Sequence, residues 1–248
     1  MVITSKANQL IKKISSLSDK KYRRLYGLYV VEGVKPVNEC LKAGCVIDTI
    51  VCSESFIDKF GHVYSNCVTV SDQVFKSISE EKTPQGVLAT VKIPENDLIA
   101  PNNSCLLLDG LQDPGNMGTI IRTANAAGYS EIYLIDCVDP YSAKSVRSSM
   151  SGVFFVNLRF GSKEEVINVL KGVPLICADM NGENIFSFNP PEKYCLCIGN
   201  EGNGISNFVK EKADYTVKIP MAESCESLNA GVSAGIAMYL LKSKFYKN

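Results

Sequence analysis

The sequence has a single histidine, His62, and none of its ten cysteines is followed by another cysteine three positions later. Zinc sites are usually built from closely spaced pairs of such ligands, so we expect no metal site. His62 also lies in the first half of the chain, away from the motifs described below. A Ser-His-Asp triad is therefore excluded at those motifs.

Long apolar segments are also missing. No apolar run reaches about 18 residues and no signal peptide opens the chain, so we expect a cytoplasmic protein without a membrane span. The cysteines lie mostly inside apolar stretches, and we expect them to be reduced core residues. The length of 248 residues, with 46% hydrophobic and 21% charged residues, suits a globular protein of one large or two smaller domains.

The net charge is zero, but it is unevenly distributed. The first 24 residues hold seven Lys or Arg and one acid, Asp19, which gives about +6 at this end. This stretch predicts a basic helix whose apolar stripe carries Leu10, Ile11, Ile14 and Leu17. Such a cluster favours a polyanion as partner, because each phosphate contact releases counterions. The alternative is a solvated helix face.

Strands and helices alternate along the whole chain. Residues 1–95 predict a small α/β domain, and the polar stretch 95–104, which follows Pro94 and includes Pro101, predicts a linker. From 102 to 248 the strands are almost continuously apolar, which predicts a parallel sheet covered by helices on both faces. Its strands are expected at CLLLD, EIYLID, FFVNL, PLICAD, YCLCIG and YTVKIP. Ligands of such sheets bind beyond the carboxyl ends of the strands.

Three loops follow strands of this sheet, at 109–118, 199–204 and 220–229. The first carries Gly115 and Gly118 but neither G-x-G-x-x-G nor a Gly-Lys-Ser/Thr sequence, which argues against a nicotinamide-dependent oxidoreductase and a P-loop enzyme. The second surrounds Glu201 with three glycines, and the third leads through Glu226-Ser227-Leu228-Asn229 into a helix rich in small residues. Each loop combines closely approaching backbone with a few polar groups.

Together these stretches resemble a known family. The sequences NMGTIIRTANAAG, IGNEGNGIS and IPMAESCESLNAGVSAGIA, with YSAKSVRSSMSGVFF after the first, are similar to the motifs of the SpoU (TrmH-like) family. This family comprises the 2′-O-ribose RNA methyltransferases of the SPOUT class. The resemblance covers about 102–248, and residues 1–95 are similar to the substrate-binding domain, related in fold to ribosomal protein L30e, that many members carry.

The resemblance implies a fold, a cofactor and an assembly. The fold is an α/β domain with a parallel sheet and a C-terminal deep trefoil knot, preceded by the small L30e-like α/β domain. The cofactor is S-adenosylmethionine, the expected assembly is a homodimer through the knotted domain, and neither a metal nor a membrane is involved. The substrate is RNA, with ribosomal RNA favoured over transfer RNA. The alternative is an RNA-binding module with an inactive transferase fold.

The resemblance also assigns roles to individual residues. The expected catalytic residues are Arg122, Asn116, Glu201, Ser227 and Asn229. The expected cofactor-binding residues are Ile198, Gly199, Gly202, Ile219, Met221 and Leu228. With RNA as substrate, the basic first helix becomes a candidate RNA contact through Lys12, Lys13, Lys20, Lys21, Arg23 and Arg24.

Overall fold

A computed structural model describes residues 2–243 and groups them into two compact units. The first unit runs to Pro94 and includes Asp139–Phe154, whereas the second consists of Glu95–Val138 and the chain from Phe155 onward. The sequence predicts one unbroken second domain at 102–248. The structure differs in assigning 139–154 to the first unit and the expected linker to the second.

Contacts between residues that are distant in sequence explain this difference. Asp139 forms an ion pair with Arg23 at 2.7 Å, and the ring of Tyr141 lies 4.9 Å from that of Tyr29. In the expected linker, the carbonyl of Ile99 accepts a hydrogen bond of 2.6 Å from the hydroxyl of Tyr133. The composition of a local segment does not predict such contacts.

The first unit is built around a four-stranded mixed sheet. Its elements up to Pro94 are α1 (Gln9–Ser16), α2 (Lys20–Tyr26), β1 (Leu28–Glu32), α3 (Val34–Lys42), β2 (Ile47–Ser53), α4 (Glu54–Phe60), β3 (Val68–Val70), α5 (Asp72–Ile78) and β4 (Val87–Lys92). The strand order is β1-β4-β2-β3, and only the β2–β3 pair is parallel. Ile11 and Ile14 of α1 are buried against this sheet, as the apolar stripe predicts.

The basic N-terminal segment forms two helices rather than one. The first helix ends at Ser16 and a second begins at Lys20. The side chain of Asp19 caps this second helix by accepting a hydrogen bond of 2.8 Å from the backbone N–H of Lys21. The expectation for Arg23 is wrong. Its side chain is buried, and it donates to the Asp139 carboxylate and to the carbonyls of Leu17 and Ser18. The donors of Arg23 are therefore engaged inside the first unit, which argues against an RNA contact through this residue.

The second unit holds a six-stranded parallel sheet. From residue 95 onward the elements are β5 (Cys105–Asp109), α6 (Pro114–Ala126), β6 (Glu131–Ile135), α7 (Ala143–Ser148), β7 (Asn157–Phe160), α8 (Lys163–Val169), β8 (Leu175–Asn184), β9 (Cys195–Ile198), α9 (Asn207–Lys210), β10 (Tyr215–Lys218) and α10 (Ala230–Ser243). Of these, α7 belongs to the segment that groups with the first unit. The order is β10-β8-β9-β5-β6-β7, with all pairs parallel, which confirms the prediction.

Both faces of this sheet are buried. Cys105 and Leu107 belong to a core that includes Val166 of α8 and Val209 of α9. Side chains alternate along a strand, so the equally buried Leu106 faces the opposite side of the sheet. Within the part of the chain that is described, no helix is both long and apolar enough to cross a membrane. The trefoil knot implied by the resemblance concerns how the chain is threaded, and it stays a prediction.

The burial of Arg23 generates a test of stability. We expect Arg23→Met to lower the free energy of unfolding by about 3 kcal/mol, because Asp139 and two carbonyls lose their donors in a buried place. Urea unfolding followed by circular dichroism measures this change. The control is Arg24→Met, at an exposed position of the same helix, which should shift stability by less than about 0.5 kcal/mol. Equal losses in the two variants would contradict the structural role of Arg23.

Candidate active site

A cavity of about 540 Å³ lies at the carboxyl ends of β8, β9 and β10. Most of its wall comes from three segments: 178–181 within β8, 198–204 at the end of β9 and beyond it, and 217–228 at the end of β10 and beyond it. The wall is completed by Lys210, Ala230 and Ser233. All six residues expected to bind the cofactor line this cavity, namely Ile198, Gly199, Gly202, Ile219, Met221 and Leu228. The sheet edge that the sequence indicates is therefore the edge where the cavity lies.

The segment 178–181 was missed by the sequence analysis. It exists because the pairing of β8 with β10 shifts: Thr216 pairs with Cys177, whereas the next residue, Val217, pairs with Glu183. The intervening residues of β8 leave the ladder and form one wall of the cavity. Gly182 is required at the return, since a Cβ there would lie 2.5 Å from the backbone of Val217.

The loop after β9 is organised by Asn200, which the sequence analysis also missed. Its Oδ1 accepts hydrogen bonds from the N–H groups of Gly202 and Asn203, and its Nδ2 donates to the carbonyl of Gly110 at 2.8 Å. The backbone of Asn200 also exchanges two hydrogen bonds of 2.9 Å with Gly204. The loop is thus closed on itself and fastened to the end of β5. An Asn that begins such a turn is the sequence signal that could have identified it.

Gly199 is required by the loop itself as well as lining the cavity. A Cβ at this position would lie 2.2 Å from the carbonyl carbon of Gly204 and 2.2 Å from the backbone N of Ile205. Gly199 lines the cavity, but the immediate reason for glycine is the close approach of two backbone segments. A larger residue here would disturb the loop itself, in addition to any space that it takes from a ligand.

Three of the expected catalytic residues form one hydrogen-bonded chain. Oδ1 of Asn229 accepts hydrogen bonds of 3.0 and 3.2 Å from the backbone N–H groups of Gly231 and Val232, and it so caps α10. Its Nδ2 donates to Oδ1 of Asn116 at 2.9 Å. Nδ2 of Asn116 then donates to Oε1 of Glu201, also at 2.9 Å. The chain joins residues of all three motifs.

Glu201 is held as a carboxylate. Partial burial raises its pKa, but the hydrogen bonds from Asn116 and from the backbone N–H groups of Gln112 and Asp113 outweigh that effect and leave the pKa below its ordinary value. Glu201 therefore stays ionised at neutral pH. The donors to this carboxylate are thus the side chain of Asn116 and the backbone of Gln112 and Asp113.

The remaining two catalytic candidates lie apart from this chain. Ser227 lines the cavity. Arg122 lies on α6, is exposed, is absent from the cavity wall, and makes no hydrogen bond or ion pair with any residue in the range 2–243. Asp179 and Lys210 form a further ion pair of 2.6 Å in the wall, and Lys210 lowers the pKa of Asp179.

Comparisons with known proteins agree with this arrangement. Residues 103–239 match the SpoU rRNA Methylase family, and residues 8–89 match the MRM3-like substrate binding domain. The chain is 34% identical over 245 residues to the 23S rRNA (guanosine(2553)-2′-O)-methyltransferase RlmP of Bacillus subtilis, covering 97% of this chain and 98% of that protein. The fold is that of a SPOUT-class methyltransferase. The chain belongs to the SpoU rRNA methylase family.

Solved structures support the same assignment. An AdoMet-bound rRNA methyltransferase from Sinorhizobium meliloti superposes with a TM-score of 0.88 at 28% identity, covering 100% of this chain and 99% of that one. A protein whose structure concerns 2-OH methylation of C/U34 on tRNA matches 56% of this chain and 94% of that one, at 28% identity and a TM-score of 0.51. The prediction of an S-adenosylmethionine-dependent RNA 2′-O-methyltransferase is confirmed at the level of the family.

The cavity fits S-adenosylmethionine. Its volume lies within the usual range for ligands of this size, which is about 300–1,000 Å³. Apolar side chains such as Ile198, Ile219 and Leu228 suit the adenine ring, and the carboxylates of Glu201 and Glu226 suit positive charge. Among residues 2–243 there is no group of three or more His, Cys, Asp or Glu side chains arranged to hold a metal ion.

The hydrogen-bonded chain generates a test by pH. Asn116→Asp replaces the donor that faces Glu201 with a second carboxylate oxygen. We expect affinity for S-adenosylmethionine to fall at least about tenfold at pH 8, because two like charges share the site, and to recover partly at pH 5.5, where the pair shares a proton. Isothermal titration calorimetry at both pH values measures this.

The matched control is Asn125→Asp, which makes the same charge change at an exposed position of the same helix. Its affinity should stay within about twofold of the parent at both pH values. A pH-independent loss in Asn116→Asp would show that the hydrogen bond to Glu201 does not govern the cavity.

Proposed function

We propose that the protein transfers a methyl group from S-adenosylmethionine to a ribose 2′-hydroxyl of ribosomal RNA. The observation that carries this proposal is that the second and third motifs line one cavity, and that the first motif is joined to them by the chain from Asn229 through Asn116 to Glu201. The full-length similarity to ribosomal RNA methyltransferases favours that RNA. The tRNA-related structure matches just over half of the chain.

Bound S-adenosylmethionine supplies a methyl group on a sulfonium centre, which reacts with a correctly placed nucleophile. The protein's task is then placement of the ribose hydroxyl and acceptance of its proton. The hydrogen-bonded chain fixes the loops that hold the cofactor. Ser227, in the wall of the same cavity, is available to bind the ribose.

Arg122 serves the RNA in this proposal. An exposed guanidinium without a protein partner among the described residues suits a phosphate, because its planar fork matches two phosphate oxygens. It thereby orients the neighbouring 2′-hydroxyl. Accepting the proton from that hydroxyl is a second role assigned to this position by resemblance, although arginine stays protonated in nearly every protein setting.

The assembly in this proposal is a homodimer formed through the second unit. Val232 and Tyr239 of α10 are 50% and 46% exposed, which leaves an apolar surface on the helix that packs against α6. A ribosomal RNA substrate also agrees with a cytoplasmic location. In the first unit, the candidate RNA contacts Lys12, Lys20, Lys21 and Arg24 are exposed, whereas Lys13 is half-buried and lies 3.5 Å from Asp48.

The substrate is tested by methyl transfer in vitro. We expect the purified protein to transfer labelled methyl groups to unmodified large-subunit ribosomal RNA at least about a hundredfold faster than to bulk tRNA, with the product mapped as a single 2′-O-methyl nucleotide. Preferential tRNA labelling would reverse the assignment of substrate. Tight cofactor binding without transfer to either RNA would support the inactive RNA-binding module.

The role of Arg122 is tested by two substitutions. We expect Arg122→Ala to slow single-turnover transfer at least about a hundredfold, which corresponds to about 2.7 kcal/mol, while cofactor affinity changes less than about threefold. Arg122→Lys keeps the charge but loses the fork, so it should restore only a small part of the rate. Near-normal transfer by Arg122→Lys would contradict the oriented-fork account, and normal transfer by Arg122→Ala would remove Arg122 from the reaction.

A further inference from the structure

A second cleft, of about 600 Å³, lies in the first unit between α4, α5 and the turn 82–86. Its lining carries three lysines, Lys59, Lys76 and Lys82, and three phenylalanines, Phe56, Phe60 and Phe75. The sequence predicts RNA contacts only at the N-terminal helices. This cleft is a separate candidate with its own charge and shape.

The charge of the cleft is positive and available. All three lysines are exposed, and none forms an ion pair or hydrogen bond with another side chain in the range 2–243. Asp72 is the one acid in the lining, and its carboxylate accepts hydrogen bonds from the hydroxyl and the backbone N–H of Ser55. The unpaired ammonium groups can therefore bind phosphates.

An aromatic ring is exposed beside these lysines. Phe60 is 48% exposed, and its ring is supported by that of Phe56 at 4.9 Å between centroids. The ammonium of Lys59 lies 5.0 Å from the Phe60 centroid. An exposed, supported ring next to cations is the arrangement on which unpaired nucleotides stack while their phosphates bind the cations.

The cleft is preformed by its backbone. Gly86 has a φ of +84°, and a Cβ there would lie 2.6 Å from Oγ of Ser53, so only glycine fits. The carbonyl of Gly86 accepts a hydrogen bond of 2.8 Å from the N–H of Ser53. Oε1 of Gln85 accepts one of 2.8 Å from the N–H of Val34. These bonds fix the turn to β2 and α3. Binding therefore requires little ordering of the turn.

A further cleft of this unit has the opposite character. It measures about 380 Å³, and its lining includes four glutamates, at positions 32, 39, 80 and 81. Its two cations, Lys35 and Arg147, are already paired with Glu39 and Glu81. Phosphates are thus attracted to the α4–α5 cleft and repelled from this one.

We propose that the α4–α5 cleft binds an unpaired nucleotide of the substrate RNA, with the base on Phe60 and the adjoining phosphates on Lys76 and Lys82. This proposal rests on the proposed function, because it requires RNA as the substrate. The α4–α5 cleft is thus an RNA-binding site separate from the basic face of α1 and α2. We also expect the anchored RNA segment to be single-stranded, since a base inside a duplex is already stacked on its neighbours and is not free to stack on a side chain.

The test measures binding of a fluorescent oligouridine by anisotropy between about 50 and 200 mM salt. We expect Lys76→Glu/Lys82→Glu to weaken binding at least about tenfold and to reduce the slope of log affinity against log salt by about 1.4, or about 0.7 per lost contact. Phe60→Leu keeps an apolar side chain but removes the ring. It should weaken binding about fivefold or more and leave the salt slope unchanged.

The matched control is Lys42→Glu/Lys92→Glu, which makes the same charge change at exposed positions outside the cleft. Melting temperature and cofactor affinity verify that every variant is folded. Equal binding by the cleft and control pairs would overturn the proposal. So would a loss confined to Lys20→Glu/Lys21→Glu, which would assign the anchor to α2 instead.

Methyl transfer to large-subunit ribosomal RNA separates this proposal from the proposed function. If the cleft holds the RNA, Lys76→Glu/Lys82→Glu raises KM at least about tenfold and leaves kcat within about twofold. A wild-type protein that binds oligouridine through the cleft but methylates no RNA would refute the function and retain the cleft. A wild-type protein that methylates RNA, with cleft variants equal to the control, would refute the cleft and retain the function.

Discussion

The hydrogen bond from Asn116 to Glu201 is the interaction on which the site depends. The neighbouring hydrogen bonds determine which residue is the donor. The N–H groups of Gly231 and Val232 bind Oδ1 of Asn229, so the amide nitrogen of Asn229 must face Asn116. Asn116 must then accept with its oxygen and donate with its nitrogen. An ionised carboxylate accepts that donor and two backbone N–H groups more strongly than a protonated carboxyl does, and these bonds lower the pKa of Glu201. The start of α10 thereby orients Glu201 through two amides.

This chain explains why the three motifs occur together. Asn116 follows β5, Glu201 follows β9 and Asn229 follows β10, so each lies at the carboxyl edge of the same parallel sheet. The cavity wall, in contrast, takes its third segment from β8 rather than from the loop after β5. The first motif therefore contributes to the cavity by fixing Glu201, and it carries Arg122 outward on the face of α6.

Local patterns in the sequence predict much of this fold, and contacts between distant residues account for the rest. Almost continuous apolar runs identify the strands of the parallel sheet. Local residue type also accounts for the start of α5, where the side chain of Ser71 accepts a hydrogen bond from the backbone N–H of Val74. The burial of Arg23 depends on Asp139, which lies 116 residues further along the chain. The wall at 178–181 depends on a register shift against β10. Periodicity in one segment contains neither partner. The motif resemblance located the cavity residues of the second and third motifs, but it predicted neither of these two contacts.

Although the net charge of the chain is zero, its unpaired cations and its carboxylates lie on different surfaces, which suit different ligands. RNA requires unpaired cations, and the first unit supplies them at Lys76 and Lys82 and on the exposed faces of α1 and α2. A sulfonium cofactor requires the opposite sign, and the cavity supplies Glu201 and Glu226, while Asp179 is neutralised by Lys210. A uniformly basic protein would bind RNA but disfavour a cationic cofactor. Placing the two signs on separate surfaces allows one neutral chain to hold both.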